Sequence, residues 1–159
     1  MNPRHHERFC GFRARAGLSR WDITPPAGAY ARNWGAAKHW FATGVHRRLT
    51  GTALALAPLS GAGSPLLLVS LELGWWRSRQ DADAVRQRVL TELALPEANL
   101  IIHLSHTHAG PVLDSDAPPE AKPEAARAYL AWLAEACVQG GRDALAKLEP
   151  ATALFNHGH

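Results

Sequence analysis

Residues 99–111 read Asn-Leu-Ile-Ile-His-Leu-Ser-His-Thr-His-Ala-Gly-Pro, an apolar run that ends in a His-x-His pair and is stopped by Gly110 and Pro111. Imidazoles are donors to zinc and other transition metals, and two of them on one strand end can address a single ion or a single substrate group. In an extended segment side chains alternate with period 2, so His106 and His108 are expected on one face and His103, at odd spacing from His106, on the other. By itself the pair is a weak signal: 9 histidines in 159 residues supply about half a His-x-His by chance. Context adds weight, because a buried strand that turns through polar residues places them at its carboxyl end, where α/β sheets form ligand crevices. The opposing reading is a pair of hydrogen-bonded histidines at a strand end, with no ligand.

Three further residues belong to the same question. His46, in Thr43-Gly44-Val45-His46, precedes a strand and can approach the crevice, although alone it reads as an exposed turn residue. Glu72 finishes an apolar run, and a carboxylate there needs solvent or a partner. It would lie beside the His-x-His if their strands are neighbours. Trp75 and Trp76 are adjacent and cannot both face inward in one extended run, which makes Trp75 a candidate wall for an apolar substrate site. Asp114 and Asp116 read as carboxylates solvating a loop rather than as orienters of imidazole. The sequence has no Gly-x-Ser-x-Gly elbow, no Gly-rich phosphate loop, no Cys-x-x-Cys and no His-Glu-x-x-His, so metal-assisted chemistry is what remains.

The elements that must position these groups follow from periodicity. Residues 1–16, dominated by Arg, His and Glu, read as a mobile lead, and the fold is expected to begin near Gly17. Asp22-Ile23-Thr24-Pro25-Pro26 is turn chemistry, followed to Phe41 by an irregular loop anchored by Tyr30, Trp34 and Trp40. Residues 43–58 predict a strand; residues 65–73, nearly all apolar, predict a second one buried on both faces. Ala82, Val85, Val89, Leu90 and Leu93 recur at helical spacing, with Ser78 or Asp81 to cap and Pro96 to stop. Residues 100–105 form the third strand. A second helix runs over residues 123–148, with Gly140-Gly141 expected to kink or divide it, and a last strand starts at Ala151. This alternation predicts an α/β fold: a mixed or parallel sheet with crossover helices.

Composition sets the outer bounds. A chain of 159 residues is long enough to bury about 70% of its unfolded surface without disulfide staples. Cys10 stands in a polar stretch and Cys137 on an apolar helical pattern, so Cys137 reads as core. No apolar leader and no transmembrane segment is visible, which gives a cytoplasmic setting by default. Charge is uneven: through residue 50 there are 9 Lys or Arg against Glu7 and Asp22, net +7, and beyond it 8 basic against 12 acidic residues, net −4. Arginines outnumber lysines 14 to 3 in an alanine-rich chain, so the basic front reads as compositional habit and no nucleic-acid partner is expected.

Four segments, taken in order, are similar to the N-terminal catalytic domain of the neutral/alkaline non-lysosomal ceramidases. Gly17-Leu18-Ser19-Arg20-Trp21-Asp22-Ile23-Thr24 resembles that family's opening Gly-x-x-x-x-Asp-Ile-Thr. Thr43-Gly44-Val45-His46 resembles its Thr-Gly-Ile-His, Val69-Ser70-Leu71-Glu72-Leu73-Gly74 stands where the family has an Asp-Leu-Gly strand end, and His106-Thr107-His108-Ala109-Gly110-Pro111 matches its His-Thr-His signature. The resemblance implies a zinc-dependent amide hydrolase, with His106 as metal ligand and His108 as its catalytic neighbour. Water activated by the metal would attack the amide carbonyl of a lipid amide, giving a fatty acid and an amine, a sphingoid base in ceramidases themselves. Glu72 replaces the family's Asp, and Val112-Leu113 replaces glycines, so the substrate pocket is expected to differ.

In the family the remaining metal donors, a second His, a Glu and a Tyr, lie farther along than residue 159. The resemblance therefore implies that residues 17–159 are the amino-terminal part of a larger ceramidase-like hydrolase domain, active only as part of a longer chain. The alternatives are a non-catalytic α/β module, or an inactive fragment, whose histidines are structural. A barrel amidohydrolase also places His-x-His after a strand, but usually after its first; here two apolar strands come before it.

Overall fold

Residues 10–155 are described in the structure, a computed structural model, and they form a five-stranded mixed sheet with two helices packed on one face. The elements run β1 (Cys10–Asp22), β2 (Thr50–Ala57), β3 (Leu66–Leu71), α1 (Arg79–Glu92), β4 (Leu100–Leu104), α2 (Pro123–Ala146) and β5 (Glu149–Phe155), with single turns of 3-10 helix at Glu97–Asn99 and Pro119–Ala121. The strand order is β4-β3-β2-β1-β5. Only β3 and β4 are parallel, joined through α1; the other neighbours are antiparallel. The sheet is thus the mixed kind of the two anticipated, and its one parallel pair carries the His-x-His.

Strand β5 begins at Glu149 rather than Ala151, and two further strands depart more widely from the sequence reading at their starts. Strand β1 begins at Cys10 and pairs with β5 from that residue onward, so residues 10–16, assigned to the lead, are part of the sheet. The remainder of the lead, residues 1–9, lies outside the described residues. Strand β2 begins at Thr50, because residues 43–49 form an irregular approach in which Leu49 turns into the core.

Helix α1 is capped by Ser78, whose Oγ accepts from the Asp81 amide at 3.3 Å, and it buries Val85, Val89 and Leu90. Helix α2 starts on Pro123, whose missing N–H costs nothing in a first turn. It runs unbroken through Gly140 and Gly141, which do not divide it. Their purpose is space: a Cβ on Gly140 would lie 2.3 Å from the Trp21 ring, and one on Gly141 would lie 2.6 Å from Leu93 Cδ1. On the strand below, a Cβ on Gly17 would lie 2.0 Å from the Ala144 carbonyl oxygen. The helix therefore rests almost backbone to backbone on β1, and Ser19 Oγ donates to the Gly140 carbonyl at 2.6 Å to satisfy it.

Between this face and the two helices lies the core, with Leu67, Val69, Leu71, Leu73, Val89, Leu133 and Cys137 almost wholly removed from water. Burial pushes the Cys137 thiol up to about 12, which makes it a packing group and not a nucleophile. Strand β3 is not buried on both faces as its composition suggested. Its burial alternates, with Ser70 exposed, because both helices sit on the same side. The opposite face carries a cross-strand row, Leu18, Leu54, Leu68 and Ile101, in which Leu18 and Ile101 remain exposed. Among the described residues no helix is long and apolar enough to cross a membrane.

Candidate functional site

Strands β3 and β4 leave the sheet together, and the ladder between their extensions outlasts both. The Ser105 amide donates to the Leu71 carbonyl at 2.9 Å and the Thr107 amide to the Leu73 carbonyl at 3.2 Å. This keeps the segment from Leu73 to Trp75 in step with the segment from Ser105 to His108. Gly74 permits the approach: a Cβ there would meet the Thr107 carbonyl oxygen at 3.1 Å.

His106 and His108 do meet, with ring centroids 5.2 Å apart and planes at 70°, but not by strand alternation. His106 has φ +61°, in the left-handed region, so the chain turns sharply at the first imidazole. Histidine is one of the non-glycine residues found there more often than most, yet the conformation still costs on the order of 1 kcal/mol or more. The turn lays the His106 ring on Trp75, stacked at 25° with 5.2 Å between centroids, while His108 stands 5.3 Å from the same indole. Trp34, from the loop between β1 and β2, meets the His108 ring edge to face at 5.0 Å. Trp75 is therefore the wall of the histidine pair, and Trp76 turns to pack against the core.

One hydrogen bond fixes His108. Its Nδ1 lies 2.6 Å from the backbone carbonyl oxygen of Asn33, which is only an acceptor, so the contact is a hydrogen bond when the neutral ring carries its proton on Nδ1, and Nε2 then keeps its lone pair. A backbone carbonyl on one ring nitrogen, leaving the other free, is how proteins prepare an imidazole to accept a proton or ligate a metal.

The remaining sequence candidates fall near this cluster in different ways. His46 lines a cavity of about 430 Å³ together with Thr107, Ala109, Gly110 and Pro111, next to the histidine loop rather than in the ring cluster. Glu72 immediately follows the neighbouring strand β3, but its carboxylate points toward β2: Oε2 accepts from both the amide and the hydroxyl of Thr50 at 2.8 Å, and Oε1 is 3.5 Å from Arg47. The Thr50 hydrogen bonds, aided by Arg47 and Arg20, hold the Glu72 carboxyl below the ordinary carboxylate range. His103 faces away, with Nδ1 3.3 Å from Ser70 Oγ. Asp114 accepts from the Asp116 amide in a local turn, as a loop carboxylate does.

Sequence reasoning passed over Asn33 and the Arg77 guanidinium, which lies 4.8 Å from the Trp75 ring centroid. A single polar residue in an aperiodic loop has no spacing that would mark it.

The comparisons with known proteins bear on the fold at this point. The neutral ceramidase of Pseudomonas aeruginosa aligns over 86% of this chain with a TM-score of 0.60 and 22% identity, and a solved ceramidase complexed with C2 aligns with the same figures. The fold is ceramidase-like. No protein-family model matches the chain, and no curated protein matches it. The chain spans about a fifth of the length of the ceramidases it matches, the aligned part being 22% of each.

Among the described residues no group of three or more His, Cys, Asp or Glu side chains is gathered to hold a metal ion. A catalytic zinc takes about three protein donors and an open position. The ceramidase-like sheet end offers two neighbouring exposed imidazoles, one of them already oriented, which fits part of such a donor set and not all of it.

Proposed function

We propose that this chain contributes the histidine half of a zinc-dependent hydrolase centre acting on N-acyl amides, with a lipid amide as substrate and a fatty acid and an amine as products. The observation that carries the reading is the His106–His108 pair, held against Trp75 at the carboxyl end of the parallel β3–β4 pair in a ceramidase-like sheet. His106 is assigned to the metal. His108 is assigned to the reaction itself, and the donors that complete the centre come from polypeptide outside the described residues.

Zinc in such a centre supplies Lewis-acid polarisation of an amide carbonyl and activation of water. This chain's own groups do the rest. Nε2 of His108, free because Nδ1 is committed to Asn33, takes a proton from the attacking water and returns it to the leaving amine. Trp75 stacks on the His106 ring and Trp34 meets the His108 ring edge to face, so the two indoles orient the imidazole pair. The cavity beside the loop, walled by Ala29, Ala31, Leu49 and Pro111 and rimmed by His46, accommodates an apolar acyl segment next to Thr107. Glu72 acts outside the ring cluster, holding Thr50 at the start of β2 and pairing with Arg47.

The test is metal content and hydrolysis in the complete protein. Zinc should be retained stoichiometrically, a short-chain N-acyl sphingoid amide should be cleaved, and His106→Ala should remove both, whereas His108→Ala should abolish turnover with much of the zinc retained. Unchanged zinc content in His106→Ala would overturn the ligand assignment. Absence of both zinc and amide cleavage in the complete wild-type protein would leave the histidines as structural groups.

A further inference from the structure

We infer that Asn33 is the positioning residue of His108, setting through its own backbone carbonyl which ring nitrogen the imidazole presents. This rests on the hydrolytic reading of the site only for its functional consequence; the geometry stands apart from it.

Asn33 is 4% exposed in a loop that is otherwise largely open to solvent. Its side-chain amide uses both hydrogens: Nδ2 donates to the Gly110 carbonyl at 2.9 Å and to the Pro111 carbonyl at 2.8 Å. Its backbone amide donates to the Ala31 carbonyl at 2.8 Å. The residue is thus tied to the segment two and three positions past His108 by its side chain, and to the ring of His108 by its carbonyl oxygen. The two attachments close a ring of contacts through Ala109, so the carbonyl cannot drift from Nδ1 while the side-chain bonds last.

Few other side chains can do this. Leucine would leave two carbonyls without their donor, and a buried unsatisfied acceptor is costly. Aspartate would turn an acceptor toward two acceptors. What the clamp gains is a choice of tautomer. Neutral histidine in water favours the proton on Nε2, whereas this contact requires it on Nδ1 and frees Nε2 for a proton or a ligand.

The experiment is long-range 1H–15N correlation spectroscopy of the metal-free, 15N-labelled full chain at mildly alkaline pH, with His108 assigned by His108→Gln. The native protein should show His108 as a single Nδ1–H tautomer; an Nε2–H or averaged pattern overturns the inference. Asn33→Ala should lose that single pattern, and Asn33→Ser, which keeps one hydroxyl donor for the two carbonyls, should lose it partly while folding. Native spectra in both variants would also overturn it. If Asn33→Ala does not fold, the native spectrum and Asn33→Ser still decide. In the complete zinc-loaded enzyme, Asn33→Ser should lower kcat on the order of 10- to 100-fold with KM little changed. A native Nδ1–H pattern in a protein without hydrolase activity would retain the positioning role and discard the hydrolytic one.

Discussion

Beneath α2, the sheet is packed by removing atoms: Gly17, Ser19, Gly51 and Gly140 leave room for Trp21 and for the helix backbone itself. At the carboxyl end of β3 and β4 the chain does the reverse, holding large exposed rings in place with a left-handed turn at His106 and a clamp from Asn33. The first region gains stability from close packing, even though the Trp21 indole N–H is buried there without a hydrogen-bond partner. The second holds a costly conformation that packing alone would not select, which is how proteins keep reactive groups oriented. Changes in the two regions should therefore move stability in opposite directions.

The largest effect belongs to the core. Leu133 is fully buried, and Leu133→Ala should cost about 2–5 kcal/mol in a denaturant melt through lost burial and the cavity left behind. Next comes Gly140→Ala. Helix propensity alone would reward this change by about 1 kcal/mol, but a Cβ only 2.3 Å from the Trp21 ring should turn it into a net loss of about 1–3 kcal/mol. A more stable Gly140→Ala protein would refute the close-packed account of that face.

At the site the sign reverses. His106→Gly relieves the left-handed backbone and should raise stability by up to about 1 kcal/mol, set by the balance of strain relief against glycine's entropy. The same change should abolish zinc retention in the complete protein. A substitution that destabilised there as a core change does would show that His106 is held by packing and not under strain.

The smallest effect lies where the two regions join. The Thr24 side-chain and backbone hydrogen bonds, with Arg48 alongside, lower the Asp22 carboxyl from 3.8 to about 2. Its folded pKa is depressed, so its contribution is fully present above about pH 4 and is lost as the pH falls toward 2. Asp22 and Arg48 are both substantially exposed, and solvent screening reduces the contribution to below about 1 kcal/mol. Asp22→Asn should therefore narrow the stability difference between pH 6 and pH 2 by that amount, as read from melts at the two pH values.

Helices α1 and α2 were legible because their apolar residues recur with the helical period, and strands β3 and β4 because each is a short apolar run bounded by turn residues; the aromatic loop was placed correctly, but Trp34 and Trp40 are exposed and do not anchor it in the core. Strand β1 was not legible. Its core-facing positions are Gly17, Ser19 and Trp21, while Leu18 points to the open face and is 60% exposed, so hydropathy and burial run out of phase along it. That inversion is a consequence of α2 lying so near, which no local pattern encodes. The same holds for Gly140-Gly141, read as breakers from propensity and found to be clearances for Trp21, Leu67 and Leu93.

For the site, the sequence by itself determined the chemical inventory: two imidazoles two residues apart at one strand end, and a carboxylate with a tryptophan pair just past it at the end of an earlier apolar run. It determined the α/β class as well, since periodicity and turn residues are local properties. Only the tertiary structure decided that the imidazoles meet through a left-handed turn, that Glu72 spends its carboxylate on Thr50, and that Asn33, 75 positions before His108, sets the tautomer. The physical reason is that hydrogen bonds to backbone carbonyls depend on where the chain returns in space, and a backbone carbonyl looks the same at every position in a sequence.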